Sequence, residues 1–222
     1  MCFSATASFT AGTVLFAIGC LAARRARTGG ELPYALIPAL FGIQQWLEGA
    51  LWLTLGKSDE CSIWLTQIYS GFSQVIWPIY IPTAVLLLEP RRGRRKALLG
   101  VTLAGAAVSL FLLYSLSHLQ VQSQVIGQHI SYVFPHFHEM AATGLYLLGA
   151  CIGPLISSHR MVRLFGVAVT VALIMTYAFY SQWFISVWCF FAAVASVLVL
   201  AYFTRWSSDR RPGQAAQSDQ SL

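Results

Sequence analysis

Seven apolar stretches run along this chain, and short polar or basic connections separate them. A helix needs about 20 mostly apolar residues to cross the hydrocarbon core of a bilayer. The first stretch reaches that length only if Thr6 and Ala7 are included, and the third contains Pro78 and Pro82, which we expect to kink it. The pattern predicts an all-α integral membrane bundle of seven transmembrane helices at Ser8–Ala23, Pro33–Leu55, Ser62–Leu88, Ala97–Ser117, Phe137–Ile156, Val162–Tyr180 and Trp183–Phe203.

Composition supports this class of protein. Apolar residues make up 57% of the 222 residues, whereas charged residues make up only 10%. A soluble domain carries about 25% charged residues. The chain therefore lacks the polar surface that a water-soluble domain needs.

The basic residues predict the orientation of the helices. All 14 Lys and Arg residues except Lys57 closely follow the ends of the first, third, fifth and seventh stretches. Cytoplasmic connections carry the excess of Lys and Arg, so we expect the N-terminus outside and the C-terminus in the cytoplasm. Residues 1–206 then form the transmembrane domain, and residues 207–222 form a disordered cytoplasmic tail. The net charge of +6 reflects this orientation and contact with the lipid bilayer, not binding of nucleic acid.

The helix directions also allow an internal duplication. Helices one to three and five to seven would run in matching directions, as a 3+1+3 arrangement requires. Residues 13–20 (TVLFAIGC) and 144–151 (GLYLLGAC) resemble each other loosely. Apolar stretches resemble each other easily, so a bundle without a repeat remains the alternative.

Glu48 is the one carboxylate placed well inside an apolar stretch. An ionised side chain at such a depth costs roughly 3 kcal/mol or more, so it is rarely kept without a partner or a cavity. Several helices carry further polar side chains in their outer halves, which predicts a polar, aromatic-rimmed pocket that opens to the outside. The alternative is that these groups only form hydrogen bonds between helices. The predicted ligand-binding residues are Glu48, Gln45, Gln44, Trp52, Gln67, Gln74, Trp77, Tyr177, Trp188 and Cys189.

Four of the five histidines lie in or beside the connection between the fourth and fifth stretches: His118, His129, His136 and His138. Imidazole and carboxylate groups bind zinc or copper, so His136, His138 and Glu139 are candidate metal ligands at the outer face. The spacing matches no recognised zinc motif. A solvated, histidine-rich loop is therefore the alternative, and no cofactor is certain.

Other chemistry is restricted by what the sequence lacks. The two lysines, Lys57 and Lys96, both lie in connections, which excludes a light-driven pump with a Schiff-base lysine inside its last helix. The sequence contains no Cys-x-x-Cys pair, no phosphate-binding glycine loop and no Gly-x-Ser-x-Gly elbow. Cys2 and Cys61 both fall on the predicted outer side, where they either form a disulfide or remain free thiols.

The opening residues 1–9 (MCFSATASF) resemble the start of an uncharacterised group of bacterial multi-pass membrane proteins of similar length. Two further patterns are similar to that group: Gln-Gln-x-x-Glu-Gly at residues 44–49 and Trp-Cys-Phe at residues 188–190. The resemblance covers nearly the whole chain. It implies the cytoplasmic membrane of a bacterium, and it implies no activity.

Three classes of function remain open from the sequence. The first is a transporter, channel or ligand-binding protein that uses the pocket around Glu48 for a small molecule or an ion. The second is a membrane-embedded metal hydrolase that uses His136, His138 and Glu139. The third is a structural or assembly subunit. The sequence does not predict the oligomeric state.

Overall fold

The computed structural model describes residues 4–55, 60–126, 129–133, 144–179 and 183–206. It is a helical bundle with a single small hairpin in the described residues. The helices are α1 (Ala5–Ala23), α2 (Leu32–Ala35), α3 (Ile37–Thr54), α4 (Glu60–Ser70), α5 (Trp77–Leu88), α6 (Arg92–His118), α7 (Gly144–Ile156), α8 (Arg160–Phe179), α9 (Phe184–Ala195) and α10 (Val197–Ala201).

The outward faces of these helices are apolar. Leu103 and Leu110 on α6 are 63% and 67% exposed, and Ile174 on α8 is 60% exposed. Fully buried positions, in contrast, include the polar residues Gln44 and Gln45. This distribution is the reverse of that in a soluble protein, and it is typical of a chain surrounded by lipid.

Within the described residues, five helical segments are long and apolar enough to cross a membrane: Ala5–Ala23, Glu60–Leu88, Arg92–His118, Arg160–Phe179 and Val187–Thr204. The predicted second span, α3, has 18 residues, but its mean hydropathy is too low for this group because it carries Gln44, Gln45 and Glu48. The predicted fifth span is described only from Gly144 to Ile156, as a shorter apolar helix. The membrane-protein class therefore agrees with the sequence analysis, and the full count of seven spans stays a prediction.

Helix α1 starts earlier than the apolar stretch that predicts it. Ser4 is its N-cap, and the Ser4 hydroxyl accepts a hydrogen bond from the backbone N–H of Ala7 at 3.2 Å. Capping by a serine oxygen satisfies a backbone donor that would otherwise lack a partner. The helix thus gains the first turn that its length requires for a span.

Small residues bring α1 and α3 into close contact. A Cβ added at Gly42 of α3 would lie 2.7 Å from the backbone oxygen of Gly12 on α1, and a Cβ at Gly19 would collide with Ala39. Small residues at a helix interface let the two backbones approach, which is a common way to associate helices in lipid. This pair forms one side of the bundle and holds the polar face of α3 in place.

The third apolar stretch is helical from Glu60 to Leu88 despite its two prolines. A π-helical turn, Gly71–Ile76, joins α4 to α5 directly before Pro78. Proline has no N–H to donate to the preceding turn, and two carbonyls of this turn accept from side chains instead. Ser73 accepts from the Tyr146 hydroxyl and Val75 from the Ser109 hydroxyl, both at 2.7 Å.

The connection after α6 contains a β-hairpin that the sequence analysis did not predict. Strands β1 (Gln122–Ile126) and β2 (His129–Val133) pair in antiparallel register, with Gln122 opposite Val133. Strand β1 packs against α4, and β2 packs against α9. The hairpin therefore covers the end of the bundle where α4 and α9 begin.

Candidate functional site

The middle of α3 carries a buried polar face. Gln44, Gln45 and Glu48 are each 0% exposed. Gln44 and Glu48 are one helical turn apart, so their side chains lie on the same side of the helix. Contacts of α3 with α1, α4 and α9 enclose this face. The structure thus places the three central residues of the predicted site in the interior of the bundle.

Gln44 connects α3 to α5. Its side-chain oxygen accepts a hydrogen bond from the indole nitrogen of Trp77 on α5 at 2.7 Å. Phe41, three residues earlier on α3, stacks on the same indole with 3.9 Å between ring centroids. Cys189 on α9 lines the same small cavity as Phe41 and Trp77. Three predicted site residues are therefore in one cluster: Gln44, Trp77 and Cys189.

Gln45 lacks the partners that its neighbour has. Its side chain is completely buried, yet neither the oxygen nor the nitrogen of its amide has a hydrogen-bond partner in the described part of the chain. The indole nitrogen of Trp52, seven residues later on α3, is also buried without a partner there. Each unpaired buried group of this kind costs about 1–3 kcal/mol. Such groups in a native structure call for a partner such as a water, an ion or a ligand.

The hairpin brings a histidine close to Glu48. The ring of His129 packs against Trp183 with 4.9 Å between centroids. Burial lowers the pKa of His129, while the negative charge of Glu48 acts in the opposite direction and favours the imidazolium. The hairpin therefore lies within electrostatic reach of the carboxylate. One of the four histidines of this connection is therefore near Glu48.

A small aromatic cavity lies next to Trp77, the indole that bonds to Gln44. The centre of a water molecule can occupy about 20 Å³ of this cavity, so the cavity has room for about one water. The wall is formed by Phe41, Trp77, Ile81, Tyr146, Ala150, Phe165, Val169, Trp188, Cys189 and Ala192.

The polar groups of this wall already have protein partners. The Tyr146 hydroxyl donates to Ser73, and the Trp188 indole donates to the carbonyl of Val169 at 3.2 Å. A cavity whose polar groups are satisfied stays dry. The cavity therefore offers apolar contact, and hydrogen bonding is left to the α3 polar residues above it.

Three predicted residues lie apart from this cluster or at its margin. Both polar side-chain atoms of Gln67 bond to backbone at the C-terminal end of α6, since its amide donates to Leu116 and Leu119 and accepts from Val121. Tyr177 is 72% exposed and so faces away from the interior. Gln74 is half-buried in the π-helical turn.

The proposed metal ligands His136, His138 and Glu139 lie outside the described residues. Within the residues that are described, no three His, Cys, Asp or Glu side chains are grouped as a metal site would require. Cys2 also lies outside them, and Cys61 is a free, exposed thiol. A metal centre therefore remains a prediction from the sequence.

The sequence analysis missed a second buried carboxylate, at the basic end of the bundle. Glu89 is 2% exposed and accepts hydrogen bonds from the backbone N–H of Ser158 at 2.7 Å and from the hydroxyls of Ser157 and Ser158. Burial opposes its ionisation, but the bonds from Ser158, Arg91 and Ser157 outweigh burial and lower the pKa of Glu89. The Ser157-Ser158 pair directly before α8 is the signal that could have revealed this contact, because serine oxygens and carboxylates cap helix ends.

Nearby arginines complete the cluster around Glu89. One guanidinium nitrogen of Arg94 donates to the carbonyls of Ile156 and Ser157 at 3.0 and 2.7 Å, and Arg163 also donates to Ser157. These bonds tie α6 to the connection between α7 and α8. The polar atoms of this cluster bond to one another, so its role is structural. We call Glu89, Arg94, Ser157, Ser158 and Arg163 the clamp.

Comparison of the chain with known proteins adds a family. The model of a family of unknown function matches residues 1–217, which is nearly the whole chain. Comparison with curated proteins and with solved structures gives no match. The expectation of an uncharacterised family is thereby confirmed. The chain belongs to the family of unknown function DUF6629.

Proposed function

We propose that this chain is a transporter, channel or receptor-like protein of a bacterial cytoplasmic membrane, with seven spans and an outer N-terminus. It binds a small cationic or hydrogen-bonding ligand in the outer half of the bundle. Glu48 and Gln45 are the recognition groups, and Trp52 lines the entrance. A ligand of this kind enters from the outside beneath the hairpin that carries His129.

The observation that carries this proposal is the amide of Gln45. It is completely buried one turn from Glu48, and neither of its polar atoms has a partner in the described residues. A bundle that needed only internal hydrogen bonds would gain stability by pairing this amide or replacing it with an apolar side chain. Retention of unpaired polar groups beside a carboxylate is typical of a site that is completed by a ligand.

The charge of Glu48 and the nearby indoles favour a cation. A carboxylate attracts ammonium groups, and tryptophan faces bind cations with about 0.5–2 kcal/mol. The Gln45 side chain can accept a hydrogen bond from an ammonium group or donate one to a hydroxyl. The dry aromatic cavity next to Gln44 supports the same class of ligand, because it can take a small apolar group of an amphipathic cation.

The test is ligand-dependent thermal stability of the purified protein in detergent. The probes are choline, tetramethylammonium, spermidine, sodium and zinc, each added separately. We expect at least one organic cation to raise Tm of the wild type, and Glu48→Gln and Gln45→Leu to abolish that rise. Without any probe, Gln45→Leu should raise Tm by a few degrees, since about 1–3 kcal/mol is regained when the unpaired amide is removed.

The matched control is Gln67→Leu, which makes the same substitution at an amide whose two polar atoms both have backbone partners. It should lower Tm without a probe and leave the rise caused by the cation intact. The proposal is wrong if no organic cation stabilises the wild type, or if Gln45→Leu retains the stabilisation. A rise with zinc alone would support the metal-dependent alternative instead.

A further inference from the structure

A groove runs along the lipid-facing side of α8 and α10 at the cytoplasmic end of the bundle. Its volume is about 670 Å³. Ligand pockets in proteins have volumes of about 300–1,000 Å³, so the groove is large enough for a substantial part of a lipid. It is lined by Arg160, Met161, Leu164, Val197, Leu198, Leu200, Ala201 and Thr204.

The lining divides into a charged end and an apolar end. Arg160 starts α8 and lies at the end of the groove nearest the cytoplasm, together with Thr204. Leu164 is one turn further into the membrane, and Val197 is seven residues before Thr204, or roughly 10 Å along a helix. Leu164 and Val197 are 47% and 44% exposed, so the apolar end is accessible to lipid.

Arg160 is available for a ligand, unlike its neighbours. Arg94 and Arg163 donate to backbone carbonyls of the clamp. Arg160 is exposed and makes no hydrogen bond or ion pair with any described residue. Of the acidic groups described at this end, Glu89 is buried and accepts hydrogen bonds from Arg91, Ser157 and Ser158, and Glu31 accepts one from the backbone N–H of Arg27. No lining residue is acidic, so the positive charge of Arg160 is not neutralised within the groove.

Contacts of the neighbouring residues hold the two walls of the groove together. His159, directly before Arg160, lies edge-on to the ring of Tyr202 with 5.4 Å between centroids. Its ring nitrogen also lies 3.3 Å from the carbonyl of Leu88. These contacts fix the start of α8 against the last helical segment. The positions of Arg160 and the apolar wall are thus set by the packed interior and not by the lipid.

From this geometry we infer that the groove binds an anionic phospholipid of the cytoplasmic leaflet. The phosphate of the lipid pairs with the guanidinium of Arg160, and one acyl chain lies along Leu164, Val197 and Leu198. A guanidinium is well suited to phosphate because it can donate two parallel hydrogen bonds. The expected orientation supports this occupant, since anionic lipids and basic residues meet at the cytoplasmic surface.

The experiment measures thermal stability of the full chain in a neutral detergent with added phosphatidylglycerol, phosphatidylcholine or inorganic phosphate. Phosphatidylglycerol well above its Kd should raise Tm of the wild type by about 5 °C. Phosphatidylcholine and inorganic phosphate should raise it much less, because the first lacks a net negative charge and the second lacks an acyl chain.

Two variants and one control separate the parts of the site. Arg160→Gln should reduce the effect of phosphatidylglycerol to that of phosphatidylcholine, and Leu164→Trp should reduce it by filling the apolar end while Arg160 is intact. Arg92→Gln removes an exposed arginine outside the groove and should leave the effect unchanged. Equal stabilisation of the wild type by both lipids, or an undiminished effect in Arg160→Gln, would overturn the inference. An equal effect of inorganic phosphate would also overturn it, because it would show that the groove does not hold the acyl chain.

Discussion

Two buried carboxylates show how partners decide what a charged residue does in this protein. Glu89 accepts hydrogen bonds from Ser157, Ser158 and the backbone N–H of Arg91, and it stabilises the clamp. Glu48 lies next to an amide, Gln45, that has no partner in the described residues. The first carboxylate therefore serves the fold, and the second is the better candidate for binding.

The pH dependence of stability should report on Glu89. Its pKa is lower in the folded chain than its ordinary value of 4.5, so the folded state favours the charged form. The stabilisation is present above that value and is lost as the pH falls through the lower folded pKa. We expect Glu89→Gln to cost about 1–3 kcal/mol at pH 7, and the difference from the wild type to shrink below pH 4.5. Thermal unfolding in detergent from pH 7 to pH 3 measures both effects.

Glu60→Gln is the control for this experiment. Glu60 is exposed and makes no hydrogen bond or ion pair with any described residue. Its variant should unfold like the wild type throughout the pH range. A Glu89→Gln variant that is as stable as the wild type at pH 7 would show that the carboxylate does not hold the clamp together.

At the scale of helices, glycine and proline control how closely neighbours pack. Pro82 has no N–H, so the carbonyl of Pro78, one turn earlier, lacks its usual donor within α5. That carbonyl faces Gly105 on α6 and Gly149 on α7. A Cβ added at Gly149 would lie 2.8 Å from the carbonyl oxygen of Pro78. The small residues allow two helix backbones to approach the proline segment at the same point.

A matched pair of glycine variants on α6 tests this contact. A Cβ at Gly105 would collide with the backbone oxygen of Pro78, and a backbone atom cannot rotate away. Gly105→Ala should therefore cost about 1–3 kcal/mol. Gly100 lies on the same helix with nothing within 4 Å of its Cβ position, so Gly100→Ala should be neutral or stabilising by up to about 1 kcal/mol. Equal Tm values for the two variants in detergent would contradict the close contact.

At the scale of the whole molecule, the open question is the number of spans. Five helical segments in the described part of the chain qualify by length and hydropathy, and α3 and α7 are the remaining two that the seven-span arrangement needs. Both could cross the bilayer despite their lower hydropathy or shorter described length, because neighbouring helices enclose the polar face of α3 and much of α7. Whether each of these two helices spans can be tested by determining on which side of the membrane its flanking residues lie.

Cysteine labelling of intact cells provides that test. The probes are single cysteines in a background without the other native cysteines: Gly29→Cys, native Cys61, Gln120→Cys and Arg160→Cys. A membrane-impermeant maleimide should label positions 61 and 120 in intact cells, and positions 29 and 160 only after the membrane is permeabilised. If positions 29 and 61 are labelled from the same side, α3 does not span. The same result for positions 120 and 160 would show that the segment ending in α7 does not span.

The sequence indicates which polar residues of the candidate site are buried, but it does not indicate most of their contacts. The burial of Gln44, Gln45 and Glu48 follows from their place in an apolar stretch, and the structure places all three in the interior. The outward position of Tyr177 was not predicted, because an apolar helix surrounded by similar residues has no clear polar face to indicate its rotation. The hairpin after α6 was missed, although residues 122–126 are followed by Gly127, which is a turn signal.

The amino-acid sequence by itself determined where the apolar helices lie, which end of the bundle is basic and which carboxylate lies deep in a helix. These properties depend on the hydropathy and charge of consecutive residues, so they can be read locally. Only the tertiary structure decided that Trp77 bonds to Gln44, that Ser158 bonds to Glu89 and that Gly105 meets Pro78. Each of these pairs is far apart in the chain, and each depends on which helices are neighbours and how each helix is rotated. When helices are apolar on every side, their neighbours and their rotations are decided by the packing of the whole bundle.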